Sequence, residues 1–332
     1  MKIQNSKTKT ITTIMGALAI GMILLSPTMM FPDISATTSQ PMPAEVTTWL
    51  NSHPNYFGCV HTNLKTHVSK EVSCAHPELK PHEQMKNGTK IQPTGDFTYT
   101  VSNLDCSSSC WVGGEFNDDG PYNEITATTT IPSAPTNSPN DFSYWASLDQ
   151  CSPSSCPSPG LLVQSGWLYE SSQGTTPQMF TEIVGSFTLS GQTQNCSQIF
   201  CGTIDSESAN DQIYTANYAS TGNSEWVAYA QDNTVSPSFS DYFMVPFSTA
   251  GVSNSLPYAF LSTEAVQTPD TTYWPPSSIS FTSVTLYSPG HGQVNTNTNN
   301  MAQWDTPTCG TCTLSETFTA TGSTTATITN SW

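Results

Sequence analysis

From Asp96 onward the chain reads in twos. Short runs of apolar and polar residues alternate, and almost no stretch carries the three-to-four-residue spacing of an amphipathic helix. Gln212-Ile-Tyr-Thr-Ala-Asn-Tyr218 and Ser280-Phe-Thr-Ser-Val-Thr-Leu-Tyr287 show the alternation, with β-branched and aromatic residues on the apolar positions. The pattern predicts strands over Phe97 to Val101, Glu124 to Ile131, Phe142 to Leu148, Leu161 to Tyr169, Gln178 to Phe187, Gln212 to Tyr218, Glu225 to Gln231, Tyr258 to Val266 and Ser278 to Tyr287. Thr317 to Ile328 reads as a final strand or hairpin, Asn295 to Asn300 as a loop, and there is no internal repeat. Strands at this spacing imply an all-β fold, either a two-sheet sandwich or a closed barrel.

The first ninety residues differ. Lys2, Lys7 and Lys9 precede an apolar run from Ile14 to Leu25, followed by Ser26-Pro27 and a small-residue site near Ser35-Ala36. This reads as a secretory signal peptide over 1–36, since a membrane span needs about 20 apolar residues. Residues 37–90 hold five lysines and five of the six histidines, His53, His61, His67, His76 and His82, with a short helix expected over Ala44 to Leu50. A composition break this sharp marks a separate unit, read as a propeptide that covers and inhibits an anionic body over 91–332. The bland alternative is a linker or tail.

Charge sharpens this division. The 332 residues carry 8 Lys+Arg against 25 Asp+Glu, a net charge of −17, and no basic residue follows Lys90. A nucleic-acid surface cannot be built from such a body. Its 20 carboxylates face one histidine, His291, so salt bridges do not hold it together. Proteins usually strain in acid because lysines and arginines stay charged while carboxylates neutralise. This body would become nearly neutral, so an acidic, extracellular workplace is expected, either in solution or at the cell surface.

Ten cysteines fall into neighbouring couples, Cys59 with Cys74, Cys106 with Cys110, Cys151 with Cys156, Cys196 with Cys201, and Cys309 with Cys312. In an exported chain these read as local disulfides rather than zinc ligands, although spacing does not fix connectivity. Ser-His-Asp and Cys-His mechanisms need an imidazole base, and His291 in the loop-like Pro289-Gly-His-Gly292 reads as an exposed turn residue. The body contains no His-Glu-x-x-His, no glycine-rich phosphate loop, and no Asp-Thr-Gly or Asp-Ser-Gly triplet. No metal and no cofactor are expected. Carboxylate and carboxamide chemistry remains, and it operates where a histidine base would be protonated.

Against that background several blocks stand out in order: Trp111-Val-Gly-Gly, Glu124-Ile-Thr-Ala-Thr-Thr-Thr-Ile-Pro-Ser-Ala, Tyr144-Trp-Ala-Ser-Leu-Asp149, Leu162-Val-Gln-Ser-Gly-Trp167, Met179-Phe-Thr-Glu182 and Tyr258-Ala-Phe-Leu-Ser-Thr-Glu264. Together they resemble the glutamic peptidases called eqolisins over roughly 108–290. The resemblance implies a two-sheet antiparallel β-sandwich, concanavalin-like or jelly-roll-like, acting as a monomeric, pepstatin-insensitive acid endopeptidase on polypeptide substrates. Gln164 then matches the catalytic glutamine, holding the water and the oxyanion, and Glu264 the catalytic glutamate, base and then acid. Trp111, Trp145, Asp149 and Glu182 match cleft and supporting positions. The chain departs from the family pattern around Glu182, lacks the aspartate after Gln164, and needs one inserted residue at Glu264. It is also similar to the neprosin branch, in which two glutamates form the pair.

Each residue has a plainer reading. Gln164 at a strand centre can simply cross-link a sheet, Trp145 can be core, Asp149 a turn residue, and Glu182 and Glu264 ordinary carboxylates on partly buried faces. A β-sandwich glycoside hydrolase using Glu182 and Glu264 is the first rival. The second is a non-catalytic cell-surface carbohydrate-binding or adhesion module.

Overall fold

The computed structural model describes residues 43–79, 81, 89–91, 97–102, 109–116, 120–133, 142–151, 160–169, 176–189, 192–234, 239–252, 254–266, 278–289, 292–294, 301–305, 315–321 and 325–331. The signal-peptide expectation, His291, Asn295 to Asn300, and Cys106, Cys156, Cys309 and Cys312 lie outside them, as does the Cys110 side chain. From Ala36 to Trp332 the chain is one compact unit. It holds a helix, α1 (Ala44–Ser52), then β1 (Gly58–Asn63), β2 (Val68–Val72), β3 (Ala75–His76), β4 (Thr89–Ile91), β5 (Phe97–Ser102), β6 (Ser109–Phe116), β7 (Glu124–Thr130), β8 (Phe142–Asp149), β9 (Leu162–Tyr169) and β10 (Pro177–Val184). There follow β11 (Ser186–Leu189), β12 (Gln192–Asn195), β13 (Phe200–Ser206), β14 (Gln212–Ser220), β15 (Glu225–Asp232), β16 (Phe239–Pro246), the turn of helix α2 (Phe247–Ala250), and β17 (Tyr258–Val266). The chain ends with β18 (Ser278–Ser288), β19 (Gly292–Val294), β20 (Met301–Asp305), β21 (Ser315–Thr321) and β22 (Thr325–Ser331).

Two antiparallel sheets make the sandwich. The larger has eleven strands in the order β2-β1-β16-β15-β14-β7-β18-β22-β21-β5, with β19 beside β18; the smaller has nine, β3-β13-β10-β9-β8-β17-β6-β20-β4. The period-two pattern explains why they stack. Tyr144, Ala146, Leu148, Val163, Trp167, Met179, Ile183 and Leu261 point from the smaller sheet into one core with Ile125, Ala127, Ile213, Trp226, Ala228 and Phe243 of the larger. Each fully buried Val, Leu, Ile, Phe or Met among them contributes about 1.5–3 kcal/mol by leaving water. A few polar groups bridge the layers: Ser165 Oγ donates to Asn217 Oδ1 at 3.1 Å, and Asn217 Nδ2 to the Ala146 carbonyl at 2.9 Å.

The expected strands are present, with one division. The run from Gln178 to Phe187 is split at Gly185, where an added Cβ would lie 2.4 Å from the Phe187 ring, and the chain leaves the sheet there to form the β11–β12 hairpin. The end of the chain is the β21–β22 hairpin.

The leading segment is woven into the same architecture. β1 pairs with β16 and carries β2 on the edge of the larger sheet, while β3 and β4 occupy the two opposite edges of the smaller one. α1 lays Val46, Trp49 and Leu50 on the outer aromatic face of the larger sheet, against Tyr214, Tyr229 and Tyr242. The Cys59–Cys74 and Cys196–Cys201 couples are disulfides, and Cys151 is also disulfide-bonded.

Candidate active site

Register decides which side chains share a face. Across the smaller sheet Glu182 on β10 stands opposite Gln164 on β9, Gln164 opposite Ser147 on β8, Ser147 opposite Phe260 on β17, and Phe260 opposite Glu115 on β6. Two residues along each strand, a second row contains Phe180, Gly166, Trp145 and Ser262. Two further along, a third contains Gln178, Leu168, Ser143, Glu264 and Trp111. Asp149 begins the row on the other side, opposite Leu162. All these positions lie on the face turned away from the sandwich core, because their neighbours in sequence point into it.

One contact is direct. Gln164 Nε2 donates to Glu182 Oε2 at 2.6 Å, and both residues are wholly buried. Gln164 Oε1 and the adjacent Ser147 Oγ are shut off from solvent without a hydrogen-bond partner. Buried amides in sheets normally satisfy both ends, so a half-used glutamine beside a carboxylate marks a place for a further polar group. Around the pair lies an apolar wall of Trp145, Leu168, Phe180, Phe200 and Phe260. At Gly166 the β8 backbone packs so closely that a Cβ would meet the Tyr144 carbonyl at 1.9 Å.

Glu264 shares the face and is buried, but its opposite residue on β8 is Ser143, four residues along from Ser147. With strands about 4.8 Å apart and a rise of about 3.3 Å per residue, its backbone lies about 16 Å from that of Gln164 and about 20 Å from that of Glu182. The carboxylate in contact with Gln164 is therefore Glu182, the residue expected to play a supporting part. Asp149 sits at the end of β8 with Oδ1 accepting from the Cys151 amide at 2.7 Å, so it also shapes the turn that leaves the strand. Trp145 stands in the apolar wall beside the pair. Trp111 is placed by β6, opposite Glu264. Glu115, in the row of Gln164 and nearly buried, was missed; the alternation within Trp111-Val-Gly-Gly-Glu115 puts it on the Trp111 face and was the available signal.

The face is covered, and part of the cover belongs to the leading segment. Leu79 packs against the Trp145–Phe180–Phe260 wall, and its carbonyl accepts from the Phe200 amide at 3.2 Å. The same segment is tied at its other end by His61 on β1. Its Nδ1 lies 2.7 Å from Asp205 Oδ2 and 3.1 Å from Asp241 Oδ1, one aspartate from each sheet. Hydrogen bonds to Asp205 and Asp241 raise the imidazole to about 10, so it is a cation at neutral and acid pH. Burial pushes Asp205 up, but the bonds from His61 and Asp241 outweigh it and hold it below the ordinary aspartate range. Asp241, wholly buried, is pushed well above that range by desolvation.

Comparison with known proteins adds the following. No family model matches the chain, and no curated protein matches it. Among solved structures it is similar to SCP-B, a member of the eqolisin family of peptidases in complex with the tripeptide Ala-Ile-His, at 16% identity and a TM-score of 0.44, over 70% of this chain and 100% of that one. It is also similar to scytalido-glutamic peptidase with a transition-state-analogue inhibitor, at 18% identity and a TM-score of 0.43, again over 70% of this chain and 100% of that one.

Proposed function

We infer that this protein is a secreted acid peptidase, made as a precursor, whose reacting groups are Gln164 and Glu182. The observation that carries the reading is the buried Gln164–Glu182 contact with the glutamine oxygen left unpaired. The blocks that resemble glutamic peptidases run through the same strands.

The chemistry follows from the donors and acceptors present. Gln164 has two amide hydrogens; one holds Glu182, and the other is available to an oxyanion. Its Oε1 can accept from a water that Glu182 deprotonates as the water attacks a peptide carbonyl. Glu182 then returns the proton to the leaving amine. In acid a carboxyl group works near its natural pKa, and an amide keeps its donor at any pH. Glu264, further along the same face, would line the groove that receives the rest of the polypeptide, with Trp111, Trp145 and Asp149.

The leading segment would be the inhibitor in cis. Leu79 packs against the apolar wall that a substrate side chain would need, and His61 anchors the segment to Asp205, whose charge is lost only in strong acid. Release by acid, and loss of residues up to about 90, would expose the face. A glycoside hydrolase built on Glu182 and Glu264 is disfavoured by their spacing: the two-carboxylate mechanism needs about 5–9.5 Å between the groups, and about 20 Å of sheet separates these backbones.

Incubation of the protein with denatured protein and, in parallel, with soluble polysaccharides at pH 3 tests the reading. Peptide cleavage is expected, with Gln164→Ala reducing kcat by about 10²–10³-fold, the usual loss of an oxyanion donor. Sugar release without peptide release would overturn it.

A further inference from the structure

We propose that Glu207, Asp211 and Asp232 form a calcium site that pins the two sheets together at the β13–β14 crossover. The three side chains each offer a carboxylate oxygen, and these oxygens lie within 4.8 Å of one another. Calcium is bound by oxygens at about 2.3–2.6 Å, so two ligands on one ion can be up to about 5 Å apart; magnesium, at about 2.1 Å, would require them closer.

The second observation is Glu207 itself. The residue is 8% exposed, and its Oε1 is enclosed with no hydrogen-bond partner, beside two other carboxylates. A buried anion in such company needs either a proton or a cation. Among the described residues no salt bridge brings a cationic side chain to it, and His61 is engaged with Asp205 and Asp241. An all-oxygen set of three carboxylates suits a hard cation and not zinc or copper.

The surrounding chain is already held in place. Asp211 Oδ2 accepts from the Ser208 amide at 2.7 Å, the Glu207 amide donates to the Pro177 carbonyl at 2.9 Å, and Asp232 Oδ1 accepts from the Thr234 amide at 3.0 Å and hydroxyl at 2.7 Å. Glu207 follows β13 of the smaller sheet, Asp211 precedes β14 of the larger, and Asp232 ends β15 opposite Ile213. A cation here would join both layers and, through Pro177, fix the start of the strand that carries Glu182. The site is separate from the proposed reacting pair and does not depend on it.

The test is calorimetric titration of Ca²⁺ into the EDTA-treated, desalted full-length protein at pH 7, with thermal unfolding in parallel. One saturable site and a raised Tm are expected, with a smaller rise in Mg²⁺. Glu207→Gln and Asp211→Asn should each weaken binding by at least about tenfold, equivalent to about 1.4 kcal/mol. In EDTA, Glu207→Gln should melt at or above the wild type, because a neutral amide replaces a buried anion; this separates loss of the site from loss of fold. If Glu207→Gln does not fold, Asp211→Asn, whose side chain is more exposed, decides. Absence of a saturable calcium signal, or full-strength binding by the folded variants, overturns the proposal.

Discussion

The clearest residue-level consequence concerns which carboxylate works with Gln164. Glu182→Gln should reduce peptide cleavage as severely as Gln164→Ala, by about 10²-fold or more, whereas Glu264→Gln should raise KM more than it lowers kcat. Steady-state kinetics of the three variants on one peptide checks this ordering. A second consequence concerns Glu124, buried in β7 with neither oxygen hydrogen-bonded and raised to about 7 by desolvation. Its folded-state pKa exceeds its unfolded value, so the native state binds the proton more tightly. Stability is therefore fully present below about 4.5 and declines as pH rises through about 7. Glu124→Gln should stabilise the protein at pH 8 by up to about 3 kcal/mol and leave it nearly unchanged at pH 4, measured by denaturant unfolding at both values. Individual residue types were legible in the sequence at this scale, but pairings were not. Gln164, Glu182 and Glu264 all stand out, yet their alternation says only that each can share a face, and the partner of Gln164 depends on the register between β9 and β10.

At the scale of elements, most long strands of the body followed from period two, while β6, β13, β16, β20 and the strands of the leading segment did not. β1 and β2 read Gly-Cys-Val-His-Thr-Asn and Val-Ser-Lys-Glu-Val, too short and too polar to stand out, and they become strands because the β16 edge is there to pair with. Gly185 similarly decides the end of β10 through local crowding that hydrophobic pattern does not record. The tie between β1 and the body should respond to pH in a defined way. His61 contributes stability that is present below about 6.5 and lost as pH rises through about 10. Asp205 contributes stability present above its ordinary value and lost as pH falls through its lowered one. Amide hydrogen exchange across Gly58–Val72 should thus be slowest in between and accelerate in strong acid. His61→Gln should accelerate it already at pH 6, without a matching change in β8 or β9. Uniform acceleration over all strands would mean that His61 supports the whole fold rather than the docking of one segment.

For the molecule as a whole, the absence of fixed cations beyond Lys90 and the presence of buried carboxylates point the same way. Both favour a native state that tolerates acid, because protonation removes repulsion here where it creates it in ordinary proteins. Strand spacing was compatible with a two-sheet sandwich or a closed barrel, and the resemblance to glutamic peptidases pointed to the sandwich. That the cationic leader contributes edge strands to both sheets was not legible, since composition marks a boundary in sequence and does not reveal which edges are vacant. On the proposed reading, a face that the leading segment covers becomes a peptidase site in acid through Gln164 and Glu182. The most direct measurement is to bring the purified precursor to pH 3 with a denatured protein and pepstatin, beside its Gln164→Ala and Glu182→Ala versions, and follow both the substrate and the precursor by mass. Pepstatin-insensitive cleavage by the wild type is expected, with a chain that shortens to a start near residue 90, and neither event in the two variants. Undiminished cleavage by either variant, or no cleavage by a wild type that has lost its leading segment, would contradict it.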